Sequence, residues 1–124
     1  NRTKYKAEKI SKKYVNVNVE GWINVELLNN AELIVNATSL GMIGYSGLPL
    51  SLKDVKKNTK IYDIVYNPLE TELIKEAKKY NLEYVTGLPM FLGQAQESFR
   101  VWFDIKPKVN DYLLTKIKRN IQKI

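Results

Sequence analysis

Ile61-Tyr62-Asp63-Ile64-Val65-Tyr66-Asn67-Pro68 is the stretch that decides the architecture. Its first six residues are mostly β-branched and aromatic, which predicts a buried strand over 61–66. Asn67-Pro68 ends it, because proline cannot donate to a ladder. A helical pattern follows from Thr71 to Tyr80, with Leu73, Ile74 and Ala77 on one face. Leu82 to Val85 is a short strand closed by Gly87, and Met90 to Phe103 is a helix with Pro89 near its start, where proline is tolerated. Upstream, Leu33-Ile34-Val35-Asn36-Ala37 is another short apolar strand. Strands alternating with helices predict an α/β fold, a Rossmann-like doubly wound parallel sheet in a three-layer α/β/α arrangement. Strands ending near Ala37, Tyr66 and Thr86 should then be neighbours, their carboxyl ends lining one crevice with Gly87 and Gln94.

The rest of the chain fits around this frame. Lys4 to Tyr14 spaces Ala7, Ile10 and Tyr14 at helical intervals after Thr3 as N-cap. Val15, Val17 and Val19 alternate with polar residues and predict a strand, and Glu26 to Asn30 predicts a short helical turn. Residues 38–51 hold Gly41, Gly44, Gly47 and Pro49 and predict an extended loop, of a length that usually carries function. Ser51 to Val55 predicts one helical turn, and Asp104 to Pro107 a break. Residues 108–121 predict a terminal amphipathic helix with Tyr112, Leu113, Ile117 and Ile121 on one face. Sheets of this kind open on a strand and a glycine-rich turn. This chain opens on Asn1-Arg2-Thr3, so the sheet is expected to be partial, lacking its first strands.

Composition narrows the classes. The 124 residues suit one small domain with 44% hydrophobic and 27% charged content. Cysteine and histidine are absent, which excludes disulfides, thiolate metal sites and histidine acid–base chemistry. No apolar run approaches the roughly 20 residues of a membrane span, and the start is basic without the apolar core of a signal peptide, so a cytoplasmic location is expected. Net charge is +7, with lysines and arginines crowded at both ends. A nucleic-acid surface would want a recognisable motif or an aromatic stacking platform beside that charge, and neither accompanies it. Solvated helix faces account for it, and neither nucleic acid nor membrane is expected as a partner.

Four segments carry candidate chemistry. Asn1-Arg2-Thr3 with Lys6 puts two cations, an amide and a hydroxyl at a helix start, where free N–H groups favour a phosphate. A capped basic helix start has the same composition. Asn36-Ala37-Thr38-Ser39-Leu40-Gly41-Met42 is a small polar loop beyond a strand end, which a ligand can approach closely or which simply turns the chain. Asp63 to Pro68 brings a phenol, Tyr66, and an amide to the same edge. Tyr66 could instead pack in the sheet. Asp63 reads as a buried, hydrogen-bonded structural residue, since no partner base accompanies it. In the stretch from Gly87 to Trp102, Met90, Gln94 and Ala95 sit on the first turns, Gln94 within reach of a ligand hydroxyl, while Phe99 and Trp102 are expected in the core.

Together, in order and spacing, these segments resemble the shikimate dehydrogenases. The family is similar in its Asn-Arg-Thr, its Asn-Ala-Thr-(Ser/Pro)-x-Gly-Met loop and its Leu-Pro-Leu. It is similar too in Asp-x-x-Tyr-Asn-Pro followed by Thr-x-Leu, and in Gly-Leu-x-Met-x-x-x-Gln-Ala. The resemblance runs from Asn1 to about Trp102 and implies the C-terminal part of an NADP-binding domain, 1–124, without the N-terminal substrate and catalytic domain. It implies an NADP-dependent oxidoreductase interconverting 3-dehydroshikimate and shikimate in aromatic amino-acid synthesis. Asn1, Arg2, Thr3 and Lys6 would hold the 2′-phosphate of the cofactor, and Ala37, Thr38 and Ser39 would line it. The Ile64 main chain and Gly87 would lie beside the nicotinamide with Met90 packed nearby, and Tyr66 and Gln94 would face the substrate.

The chain departs from the family at three points. Lys6 stands where arginine is frequent, keeping charge but losing the bidentate fork. Pro89 replaces a glycine, and Trp102-Phe103-Asp104 replaces Trp-Thr-Gly. The family's glycine-rich diphosphate loop, catalytic lysine–aspartate pair and serine-rich carboxylate site precede Asn-Arg-Thr, so no catalytic residue and no metal ligand is assigned within these 124 residues. Turnover by them alone is not expected, nor is good solubility with an apolar sheet edge exposed. The expected partners are the small-molecule substrate, the N-terminal domain and, left open, a second copy in a homodimer. The rival readings are a quinate- or NAD-using paralogue, a non-catalytic nucleotide- or partner-binding domain, and a basic nucleic-acid module.

Overall fold

A computed structural model describes residues 3–21 and 25–122. Along them run helix α1 (Lys4–Ser11), helix α2 (Val25–Asn30), strand β1 (Leu33–Asn36), strand β2 (Lys60–Asp63), helix α3 (Glu72–Lys79), strand β3 (Glu83–Val85), helix α4 (Gly87–Phe103) and helix α5 (Asp111–Ile121). The three strands form one parallel sheet in chain order, β1-β2-β3.

Strand register sorts the side chains into two faces. Ile34 stands beside Ile61, and Asn36 beside Asp63, and all four are buried. Leu52, Val55, Leu73, Ala77 and Leu82 complete the core against that face. Leu33 and Val35 alternate with the buried pair and are exposed, as is Val85, so among the described residues the second face stays open and β1 is an edge.

Helix α3 is held at both ends by its own sequence. The Thr71 hydroxyl accepts the Ile74 N–H at 3.3 Å, and Glu72 begins the helix while Lys78 and Lys79 end it, as the helix dipole favours. Beyond the C-cap Tyr80, Asn81 takes a left-handed conformation at φ 54°. The Leu82 N–H then donates to the Ala77 carbonyl at 2.9 Å and the Asn81 N–H to Lys78 at 3.1 Å, a Schellman closure that sends the chain straight into β3. Asn110 caps α5 in the same way as Thr71 caps α3, accepting the Leu113 N–H at 2.9 Å.

Several sequence expectations need correction. The first helix stops at Ser11 rather than Tyr14, and Tyr14 is exposed. No strand forms at Val15, Val17 and Val19. Val15 is fully exposed at 100%, and alternation makes a strand only where a neighbouring ladder pairs with it. Residues 52–55 make one hydrogen-bonded turn, Val55 N–H to Leu52 carbonyl at 3.3 Å, without a helix. Strand β2 ends at Asp63, three residues short of Tyr66, because the Asp63 carboxylate takes the Val65 N–H at 3.0 Å and draws the chain out of the ladder. Helix α4 starts at Gly87, ahead of Met90 and Pro89. The terminal helix begins at Asp111 rather than 108. Phe99 and Trp102 are not in the core. Trp102 is 73% exposed, and with Phe103 the two rings pack locally, at centroid distances of 4.5 Å and 6.5 Å.

Candidate functional site at the strand ends

A buried polar network sets the geometry where β1 and β2 end. Asn36 closes β1 with its amide nitrogen donating to the Asp63 carboxylate at 3.0 Å and to the Leu40 carbonyl at 3.0 Å. Its amide oxygen accepts from the Thr38 N–H at 3.1 Å and the Thr38 hydroxyl at 2.7 Å. Thr38 in turn takes the Leu40 N–H at 3.1 Å. The other Asp63 oxygen accepts the Thr71 hydroxyl at 2.6 Å. Every oxygen of the Asp63 carboxylate is thus bonded within the protein, which is the structural role its sequence context suggested and leaves it unsuited to act as a general base. Asn36, quoted in the strand-end motif but assigned no role, is the residue that shapes the Thr38–Leu40 turn. An amide at the last strand position with a threonine two residues on is the signal that could have found it.

The three strand-end segments converge. The Ile64 N–H donates to the Asn36 carbonyl at 3.1 Å, joining the β1 and β2 exits. The Gly87 N–H donates to the Val65 carbonyl at 3.3 Å, joining the β2 exit to the start of α4. A Cβ on Gly87 would stand 2.3 Å from the Ile64 carbonyl oxygen, so this approach requires glycine. The Tyr66 ring stacks on Phe91 at a centroid distance of 4.4 Å and 21° between planes. Phe91 lies three residues before Gln94 on α4, so both share one side of the helix with Tyr66 beside it. The Ile43 N–H donates to the Asn67 carbonyl at 3.1 Å, tying the long loop after β1 to the same corner. The Asn67–Pro68 peptide is cis.

The residues singled out in the sequence fall into two groups. Ala37, Thr38, Ser39, Ile64, Tyr66, Gly87, Met90 and Gln94 all lie on the strand-end segments or the first two turns of α4. Of these, Ala37, Ser39 and Gln94 are exposed, Thr38, Ile64, Tyr66 and Met90 half-buried, and Gly87 buried. Thr3 and Lys6 are exposed at the first turn of α1, a helix that buries none of its residues, so its packing does not fix them at the crevice. Asn1 and Arg2 lie outside the described residues. Phe91 was missed by sequence reading, since an aromatic on an apolar-rich helix gives no sign of which ring it meets.

Charge perturbations lie elsewhere. Hydrogen bonds from Arg100 and Lys106 hold Glu97 down to about 2, and the hydrogen bond to Glu70 raises Lys78. A surface cavity of about 390 Å³ runs between α3 and Leu48–Leu50 rather than at the strand ends. Its Glu76 is occupied, accepting the Leu52 N–H at 3.0 Å, and the convergence of three main-chain exits is the stronger mark of a site in an open parallel sheet. No group of His, Cys, Asp or Glu suited to holding a metal occurs among the described residues, and no described helix is long and apolar enough to cross a membrane.

No protein-family model matches the chain. A shikimate dehydrogenase (NADP(+)) of Bartonella quintana (strain Toulouse) is 41% identical over 124 residues, 94% of this chain and 42% of that protein. One of Jannaschia sp. (strain CCS1) is 40% identical over 115 residues, 91% of this chain and 41% of that protein. Among solved structures, the shikimate 5-dehydrogenase of Thermus thermophilus in complex with NADP(H) and shikimate matches with a TM-score of 0.73 at 30% identity, covering 98% of this chain and 44% of that one. The chain spans about two fifths of the length of the curated relatives it matches. Over the part they share, the chain is similar in sequence and in Rossmann-like fold to these shikimate dehydrogenases.

Proposed function

We propose that this chain is the C-terminal portion of the NADP-binding domain of a shikimate dehydrogenase, and that the complete enzyme reduces 3-dehydroshikimate to shikimate with NADPH. The observation that carries this reading is that the β1 exit and Gly87 both meet the Ile64–Val65 main chain beyond β2, in a chain whose relatives are named as NADP(+)-dependent shikimate dehydrogenases. The residues there fit a dinucleotide. Ala37, Thr38, Ser39 and Gly87 are small and let a flat ring lie close to main chain, and an open α/β sheet receives ligands at this end. When bound, the nicotinamide supplies the hydride, the protein supplying orientation and exclusion of water. Ala37, Thr38 and Ser39 line the cofactor. The Ile64 main chain and Gly87 flank the nicotinamide position, with Met90 packed beside it. Tyr66 and Gln94 meet the substrate from the segment after β2 and from α4, and Asn1, Arg2, Thr3 and Lys6 read the 2′-phosphate.

The test is cofactor selectivity. NADPH and NADH affinities are measured on the complete enzyme and on its Arg2→Ala variant. The parent should prefer NADPH, and the variant should lose about tenfold to a hundredfold of NADPH affinity with NADH little changed, as expected for one charge-assisted phosphate contact. A parent with equal affinities would support the NAD-using paralogue, and one that binds neither would sink the reading. Shikimate against quinate in the same assay separates the remaining substrate alternatives.

A further inference from the structure

Among the described residues, the Asn67 side-chain oxygen is the one buried side-chain nitrogen or oxygen atom without a hydrogen-bond partner. The contrast with Asn36 is direct, because both ends of that amide are bonded within the protein. Leaving a buried amide oxygen unbonded is destabilising, and a leucine of similar volume would avoid the cost. Asn67 does not earn its place through a turn-forming contact of that oxygen, as asparagines in turns commonly do. Only its main-chain carbonyl is committed, to the Ile43 N–H at 3.1 Å.

The position of this atom gives it a use. Asn67 directly follows Tyr66, whose ring lies on Phe91 of α4. Two residues before it, the Val65 carbonyl takes the Gly87 N–H. Ile43, bonded to its carbonyl, belongs to the loop leaving β1. Asn67 therefore follows directly on the β2 exit, which Gly87 and Phe91 of α4 approach, and is bonded to the loop leaving β1. A neutral acceptor there suits an uncharged donor, since a cationic partner would favour a carboxylate.

We propose that Asn67 is a ligand-binding residue, its side-chain oxygen accepting a hydrogen bond from an uncharged N–H or O–H donor of the molecule seated at the strand ends. The proposal rests on the functional reading above, which assigns Asn67 no role. Two donors fit this chemistry, the carboxamide of the nicotinamide and a hydroxyl of the substrate. Binding of each to one defined residue discriminates between them.

The experiment uses the complete enzyme carrying Asn67→Leu, and Asn67→Ser should the leucine variant not fold. NADPH and shikimate affinities are measured by calorimetry, and the ligand-free proteins are melted in parallel. The expected result is a loss of about five- to thirtyfold in affinity for one ligand and not the other. The ligand-free leucine variant should melt at or above the parent temperature, because it no longer buries an unbonded oxygen. Selective loss for NADPH assigns the donor to the carboxamide, and selective loss for shikimate assigns it to a hydroxyl. Unchanged affinity for both, or an equal loss for both as a general lesion would give, overturns the proposal. A parent that binds neither ligand overturns the functional reading and this proposal with it, whereas a parent that binds beside a variant that binds equally overturns this proposal alone.

Discussion

Gly87 lies directly on Ile64. A β-carbon at position 87 would come within 2.3 Å of the Ile64 carbonyl oxygen and 2.5 Å of that of Val65. Both obstacles are main chain, so neither can rotate away. Gly87→Ala should force α4 off the β2 exit and cost about 1–3 kcal/mol of stability, read from urea denaturation. Gly93, on the same helix, has nothing within 4 Å of its added β-carbon, so Gly93→Ala should stabilise by about 0.5–1 kcal/mol. Equal effects of the two substitutions would show that the close approach at Gly87 does not exist.

Thr71 serves two structures at once. Its hydroxyl donates to Asp63 at 2.6 Å and accepts the Ile74 N–H that begins α3. Thr71→Val keeps the shape and removes both bonds, leaving a buried carboxylate oxygen without its donor. A loss of about 2–3 kcal/mol is expected in chemical denaturation, with Thr71→Ser within about 1 kcal/mol of the parent. A valine variant as stable as the parent would mean that the network contributes nothing to holding the strand ends.

The segment after α4 is pinned through Glu97, which is bonded to Arg100 at 2.8 Å and to Lys106. The Gln96 amide also donates to the Pro107 carbonyl at 2.8 Å. The folded protein holds the Glu97 carboxyl down to about 2 from its ordinary 4.5. A lowered carboxylate contributes stability above its unfolded value and loses it as pH falls through the folded one. The contribution should therefore fade from about pH 4.5 downward to about pH 2, and Glu97→Gln should remove that part of the pH dependence. Carboxyl carbon shifts of Glu97 followed by NMR give the midpoint directly. A midpoint near 4.5 would show that neither cation engages it in solution.

The sheet edge carries a prediction about association. Leu33 is 56% and Val35 45% exposed on β1, which pairs on one side only among the described residues. Replacing both with threonine keeps strand propensity and removes much of the apolar surface, so light scattering of the purified chain should fall. Undiminished self-association would place the sticky surface elsewhere, with Trp102 and Phe103 at the end of α4 the next choice.

Much of this chain is legible in one dimension. Leu73, Ile74 and Ala77 at helical spacing, a threonine before them and an asparagine after them are local signals, and α3 obeys all three. The parallel pairing of β2 and β3 follows from the helix between them, whereas β1 and β2 are joined by a long loop without a helix, and the crevice at the carboxyl ends follows from the parallel order. The role of Asp63 was also readable, since it stood without any partner that would make it a base. What the tertiary structure alone decided was pairing. Among the described residues, Val15, Val17 and Val19 have the period of a strand but no ladder beside them, and Trp102 has the chemistry of a core residue but is 73% exposed. The unbonded oxygen of Asn67 and the stacking of Tyr66 on Phe91 likewise join residues far apart in the chain, or depend on a bond not made. Periodicity and caps act within a few residues and are written in the sequence. Burial and hydrogen-bond satisfaction depend on what else arrives at the same place, and only the folded chain settles that.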